Sequence, residues 1–274
     1  EKEDMLVGIL NNVYLDEQLY PYYAAMDPRI AAKEIPIVGS NKEAHMERII
    51  ALNPDLVIIQ GSQEGSVAML REMGIPVYCV SGQQTEEVFK EMSDIATLLG
   101  AAERGAELLR LTHAGFDSLA LHSERLQHKK TAYFAWAYGR IFSTTGTNSI
   151  MHTCLERAGV INVCQTPLDQ ANINAETLIA WDPELILLWN DSPELFYARK
   201  ELADIQAVRK RQITNLMPMF YYNPHTLKAL LAAMRIHYNA YPNASVNLQE
   251  QIQQLLVDLY GAEKAEKLIP LLLR

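Results

Sequence analysis

The sequence predicts an α/β protein of two Rossmann-like lobes joined by a single long helix, and three of its features carry that prediction. The first is an internal repeat. Residues 46–59 (MERIIALNPDLVII) and 175–188 (AETLIAWDPELILL) align at an offset of 129 residues. Glu47 falls on Glu176, Ile50 on Ile179, Ala51 on Ala180, Pro54 on Pro183 and Leu56 on Leu185, and most remaining differences, such as Asn53 to Asp182, are mild. The second feature is the grammar of each copy. Met46, Ile49 and Ile50, like Ala175, Leu178 and Ile179, recur at helical spacing, whereas the apolar runs 56–59 and 185–188 suit a strand covered on both faces. The proline between them cannot continue a helix and pushes its predecessor toward extended geometry, which dictates helix, stop and strand in that order. The third feature is the stretch 86–127, helical with hardly a break through Val88, Met92, Ile95, Leu98 and Leu99, then Leu108, Leu109, Phe116, Leu119 and Leu121. Gly100 and Gly105 are expected to punctuate it into two helices, the second long enough to connect the lobes.

The remaining elements follow in order. Residues 5–10 read as a strand, 75–80 as another introduced by Gly74-Ile75-Pro76, and 131–136 open the second half as a strand. Residues 155–163, the second repeat copy and 212–217 supply further α/β units. After Pro224 the chain turns helical, is interrupted near Pro242, and ends in an amphipathic tail containing Leu248, Ile252, Leu255, Leu256 and Leu259. The expected organisation is an N-terminal α/β lobe at 1–104, a linking helix at 105–128 and a C-terminal α/β lobe at 129–274.

At 274 residues and 49% hydrophobic composition, the chain is long enough for two cores. No apolar run approaches the roughly 18 residues of a membrane span. A net charge of −9 disfavours nucleic acid or an anionic membrane as the main partner, since both attract basic surfaces. It leaves room for a small anion held by one or two local Arg or Lys. Cys79, Cys154 and Cys164 show no CxxC spacing; Cys79 is expected to be buried, and a disulfide between Cys154 and Cys164 stays open, because sequence cannot give their separation. The seven histidines show neither HExxH spacing nor a His-rich loop, which disfavours a bare divalent ion. No GxSxG elbow, GK[ST] loop or GxGxxG fingerprint is present, no catalytic set is found, and no cofactor is expected. The opening residues Glu1 to Asp4 carry no signal-peptide pattern.

The run IPIVGSNKEAHMERIIALNPDLVII with LREMGIPVYCV resembles the first lobe of the substrate-binding proteins of bacterial ABC importers for iron complexes, haem and cobalamin. FSTTGTNSIMHTCLERAGVINV with INAETLIAWDPELILL resembles part of their second lobe, and the tail VNLQEQIQQLLVDLYG is similar as well. The resemblance implies a helical-backbone, class III periplasmic binding protein: two lobes, one long helix, a shallow cleft and modest closure on ligand. Family members usually carry a further strand and helix before the segment matching 5–10, so the expectation is either a trimmed chain or a smaller first lobe. The resemblance also implies a periplasmic or lipid-anchored location, a monomer, and a permease dimer as partner. Two readings stand for Glu47 and Glu176. Each falls in a first helical turn, where a carboxylate favours the helix dipole by about 0.3–1 kcal/mol. At the matching places of the family, glutamates pair with permease arginines.

The ligand site is expected where strands of both lobes end. Gln60 and Ser62 follow the first repeat strand; Trp136 ends TAYFAW, and Tyr138, Arg140 and Phe142 follow it; Trp189 and Asn190 follow the second repeat strand; and Phe220, Tyr221, Tyr222 and His225 follow ITNLM. So many aromatics in exposed loops point to ligand contact, although packing would use each of them too. The Arg140 guanidinium can bind carboxylate, catecholate or oxyanion oxygens in bidentate fashion. His225 with Tyr221 or Tyr222 could ligate a metal centre, against a turn-forming role for Asn223-Pro224-His225. Residues 138–149 offer hydroxyls and amides for an anion, and a helix cap explains Thr147 to Ser149 equally well. The expected function is capture of an iron complex, a siderophore or haem, for delivery to the permease. The alternatives are an oxyanion such as molybdate or tungstate, then a corrinoid, and remotely a chelatase-like two-lobed enzyme.

Overall fold

The computed structural model describes residues 2–243 and 248–272, which form two compact units: Glu1–Ser81 with Leu256–Arg274, and Gly82–Leu255. Glu1, the side chain of Leu248 and the residues Val246 and Asn247 of the tail run lie outside the described residues. Among the described residues, no helix is long and apolar enough to cross a membrane.

In the first unit, β1 (Ile9–Leu10) and β2 (Ile37–Gly39) pair in parallel, with α1 (Asn12–Leu15), α2 (Tyr20–Met26) and α3 (Pro28–Ala31) between them in sequence. The strand expected at 5–10 shortens to two residues, because Glu3–Met5 forms a 3-10 turn and Met5, Leu6 and Val7 stay exposed. The first repeat copy follows as α4 (Met46–Leu52) and β3 (Val57–Gln60), then α5 (Glu64–Glu72) and β4 (Val77–Val80), which pairs in parallel with β3. Ile59 packs with Ile49, Val67 and Leu70, but Ile58 on the opposite face is 45% exposed. The first repeat strand is therefore not covered on both faces.

The second unit begins with α6 (Thr85–Leu98) and α7 (Ala102–Glu124). The expected break falls at Gly100, whose φ of 65° suits glycine. Gly105 breaks nothing. It lies in the first turn of α7, where a Cβ would come within 2.4 Å of the Ala96 side chain, so its small size lets α7 close on α6. The unit continues with β5 (Thr131–Ala135), β6 (Ser143–Thr145), α8 (Ile150–Arg157), β7 (Ile161–Asn162), β8 (Gln170–Asn172), α9 (Ala175–Trp181), β9 (Leu185–Trp189), α10 (Glu194–Tyr197), α11 (Gln206–Arg209), β10 (Ile213–Leu216) and α12 (Ala229–Ala240). The boundary between units falls within α13 (Leu248–Tyr260), and α14 (Ala262–Leu272) belongs to the first unit.

A parallel sheet ordered β10-β9-β5-β7 forms the centre of the second unit. The second repeat strand, β9, is buried on both faces as expected, packed with Tyr133, Leu178, Phe196 and Val208. Strand order reverses between β5, which leads outward to β7, and β9, which leads to β10 on the other side. Loops at the carboxyl ends of these two strands therefore flank the point where such sheets place a ligand crevice. All three cysteines are free; the buried Cys154 thiol donates to the Ala229 carbonyl at 3.4 Å, and burial pushes its pKa up.

Candidate functional site

The crevice at the strand-order reversal is filled by aromatic rings. Trp136 follows β5 and Trp189 ends β9, which places their rings edge to face at 5.3 Å. His225, in the loop after β10, stacks on Trp136 at 6.1 Å with only 14° between planes, and meets the edge of Trp189 at 6.3 Å. Its Nδ1 lies 2.6 Å from the Gly82 carbonyl, an arrangement in which the imidazole donates and leaves Nε2 open. Phe134 meets Trp136 edge to face at 4.9 Å.

Neither indole is satisfied. Trp136 Nε1 and Trp189 Nε1 are both buried without a hydrogen-bond acceptor. A buried donor without a partner costs about 1–3 kcal/mol, so each indole marks a place where an acceptor belongs. Asp169 Oδ1 is also buried and unsatisfied, and desolvation raises that carboxyl's pKa while the nearby His225 opposes the rise.

Loop-to-loop hydrogen bonds hold the rings in place. The Gly139 N–H donates to Asp191 Oδ2 at 2.7 Å, fastening the loop after β5 to the loop after β9. Asp191 N–H donates to Asn215 Oδ1, and Met219 N–H donates to Asn190 Oδ1, each at 3.3 Å. Tyr138 and Asn190 adopt positive φ, at 68° and 55°, to make these turns.

The other expected residues distribute unevenly. Tyr138 is 77% exposed, and Arg140 is exposed with its Nε donating to the Ala137 carbonyl at 3.0 Å, while its remaining guanidinium N–H groups have no acceptor among the described residues. Phe142 packs against the core of the second unit with the Arg199 guanidinium 5.4 Å above it. Phe220, Tyr221 and Tyr222 are buried, and burial raises the Tyr222 phenol's pKa. Gln60 and Ser62 are exposed at the end of β3 in the first unit. Among the described residues, no group of three or more His, Cys, Asp or Glu side chains is placed to hold a metal ion.

The stretch 143–149 is a cap rather than an anion cradle. Ser149 Oγ accepts from His152 N–H at the start of α8, and the Gly146, Thr147 and Asn148 amides donate to carbonyls of Asp169, Thr166 and Leu168. Lys228 is a cation that sequence reasoning missed. It lies three residues beyond His225 with its Nζ 4.0 Å from the centroid of Phe220, outside the loop window that the strand pattern defines.

Glu47 and Glu176 are exposed in the first turns of α4 and α9. Neither makes an ion pair or hydrogen bond among the described residues, so no internal partner accounts for them.

A family model described as periplasmic binding protein matches residues 17–218. The Vitamin B12-binding protein of Salmonella typhi is 25% identical over 167 residues, which is 60% of this chain and 62% of that protein. The chain thus spans under two thirds of that relative's length. The molybdate periplasmic binding protein MolA of Haemophilus influenzae, solved with molybdate, superposes with a TM-score of 0.77 at 20% identity, covering 95% of this chain and 89% of that one. The periplasmic heme-binding protein RhuT from Roseiflexus sp. RS-1, solved in apo form, gives 0.69 at 19% identity, covering 89% and 95%. At these identities the two structures establish the fold. The family and these relatives are binding proteins of transporters, not enzymes.

Proposed function

Since the chain belongs to the periplasmic binding protein family, we propose that it is the solute-binding component of an ABC importer, working outside the cytoplasmic membrane and capturing an iron complex, a siderophore or haem, at the Trp136–Trp189–His225 crevice. The observation that carries this reading is the pair of unsatisfied indole N–H groups beside a stacked Trp–His face. Aromatic faces suit a flat or aromatic chelate, and the N–H groups call for acceptor oxygens at its edge. Arg140, with free guanidinium donors, supplies the positive charge for an anionic complex. The same N–H groups favour one second reading, a tetrahedral oxyanion such as molybdate, which would use the donors and leave the stacked face idle.

Exposed Glu47 and Glu176 are proposed to dock the protein to a permease dimer, one carboxylate per protomer. Two equivalent carboxylates on the two halves of a repeat match a partner built of two like subunits.

Native mass spectrometry and metal analysis of ligand co-purified with the protein test the cargo. Titration by tryptophan fluorescence, with ferric catecholate, haemin and molybdate as probes, tests the site. Arg140→Ala is expected to weaken an anionic chelate by about 1.5–3 kcal/mol, and Trp136→Phe, which deletes one N–H, by about 0.5–1.5 kcal/mol. Tight binding of molybdate alone would favour the oxyanion, and unchanged affinity in both variants would remove this crevice from the site.

A further inference from the structure

The two repeat helices are alike at three positions that face water, unlike at the exposed Arg48 with its half-buried counterpart Thr177, and unlike at every position that packs. Within α4 and α9, three of the seven aligned positions are identical: Glu47 with Glu176, Ile50 with Ile179, and Ala51 with Ala180. All six residues are exposed, and Ile50 and Ile179 are left open to nearly the same degree, 39% and 41%. The buried pair is Ile49 with Leu178, and the half-buried pairs are Met46 with Ala175 and Leu52 with Trp181, every one of them different. Packing alone would produce the opposite pattern. A core position is constrained by the volume around it, whereas an exposed substitution usually costs little. A lone exposed isoleucine needs no explanation. Two in register, each a helical turn beyond an unpaired carboxylate and followed by alanine, do need one.

Positions i, i+3 and i+4 lie on one face of a helix, so each copy presents a carboxylate, a β-branched apolar side chain and a small residue as a single ridge. We propose that Ile50 with Ala51, and Ile179 with Ala180, are a second docking element beside each glutamate, seated in like apolar sockets on the two protomers of the permease dimer. This rests on the reading of Glu47 and Glu176 as docking carboxylates. The carboxylate meets a cation, the isoleucine fills a socket one turn away, and the alanine allows the helix to approach closely. The glutamates contribute attraction that salt screens, and the apolar ridge contributes affinity that salt leaves intact.

The test uses the permease of this importer in nanodiscs and measures the dissociation constant of the ligand-free protein by biolayer interferometry across a salt series. Ile50→Gln with Ile179→Gln keeps helix propensity and removes the apolar contact. Its dissociation constant is expected to rise about tenfold or more, with the salt dependence and thermal unfolding midpoint unchanged, because two isoleucine side chains lose their burial. Ala51→Leu with Ala180→Leu, which adds bulk where close approach is required, is expected to weaken docking similarly and serves if the glutamine pair folds poorly. Glu47→Ala with Glu176→Ala is expected to weaken docking and flatten the salt dependence. Parental binding by the glutamine and leucine pairs, with weakened binding by the alanine pair at the glutamates, would overturn the apolar ridge and leave the docking reading standing. Parental binding by the glutamate variant would overturn that reading and the ridge with it.

Discussion

Lys228 holds its ammonium over the ring of Phe220, at the N-terminal end of α12, with no carboxylate beside it. A helix N-terminus repels a cation, and desolvation moves the pKa from its ordinary 10.5 down to about 7. The sign of the resulting pH dependence follows from proton counting. Between about 7 and 10.5 the unfolded chain holds a proton that the folded chain has released, so stability rises with pH across that window and is lowest below it. Lys228→Met is expected to flatten this rise and to stabilise the protein at pH 6 by on the order of 2 kcal/mol. Urea midpoints of both proteins at pH 6 and pH 9 check it, and parallel behaviour would show that the ammonium finds compensation from solvent. Sequence reading at this scale was right about where aromatics concentrate and blind to which of them meet. Trp136, Trp189 and His225 converge because strand order brings the ends of β5, β9 and β10 together, whereas the buried Phe220, Tyr221 and Tyr222 from the same pattern make no ring contact with those three. A loop's internal path decides which side chains turn inward, and residue type does not encode that path.

The two repeat copies show how far an element can be read from its residues. Pro54 and Pro183 separate helix from strand, as the sequence pattern predicts. The turn itself is made one residue earlier, by Asn53 and Asp182 in left-handed conformation at φ 44° and 40°. Asn and Asp tolerate that region better than other non-glycine residues, so the mild exchange of Asn53 for Asp182 preserves the signal for the turn. Asp182 also accepts from the Gln206 amide at 2.6 Å, tying the end of α9 to α11. The helix starts differ between copies. Asn174 accepts from Thr177 N–H at 2.8 Å as an N-cap, and His45 makes no side-chain cap for α4. Asn174→Ala is accordingly expected to cost about 1 kcal/mol, and His45→Ala no more than a few tenths. Chemical denaturation of each variant measures both, and equal losses would show that the cap bond contributes nothing beyond propensity. Gly105 illustrates the converse limit. Glycine in a helical pattern signals either a break or a close approach, and only the neighbouring helix, supplying Ala96, decides between them.

At the scale of the molecule, the chain leaves the first unit at Ser81 and returns to it at Leu256, so that unit is built from both ends of the sequence. Hydrophobic periodicity detects the tail helices but carries no information about which core they join, since an amphipathic face fits any apolar surface of suitable shape. The bonds that close the unit are specific. Lys264 Nζ donates to Glu3 Oε1 at 2.6 Å, which holds the Glu3 carboxyl down at about 2, and the Tyr22 hydroxyl donates to the Leu271 carbonyl at 3.4 Å. Ala265 and Leu268 of α14 are fully buried. Removal of α14 by a stop after Tyr260 takes away these contacts at once and uncovers the apolar face they bury. A discontinuous unit should then fail locally: amides of α2, β1 and β2 are expected to lose hydrogen-exchange protection, while those of β5, β9 and β10 keep it, because the four-stranded sheet belongs to the other unit. Exchange measured by mass spectrometry on the full chain and the truncated one decides the matter. Uniform loss across both sets would mean that the two units unfold as one cooperative body, and unchanged protection in α2 would mean that the first unit closes its core without the returning helix.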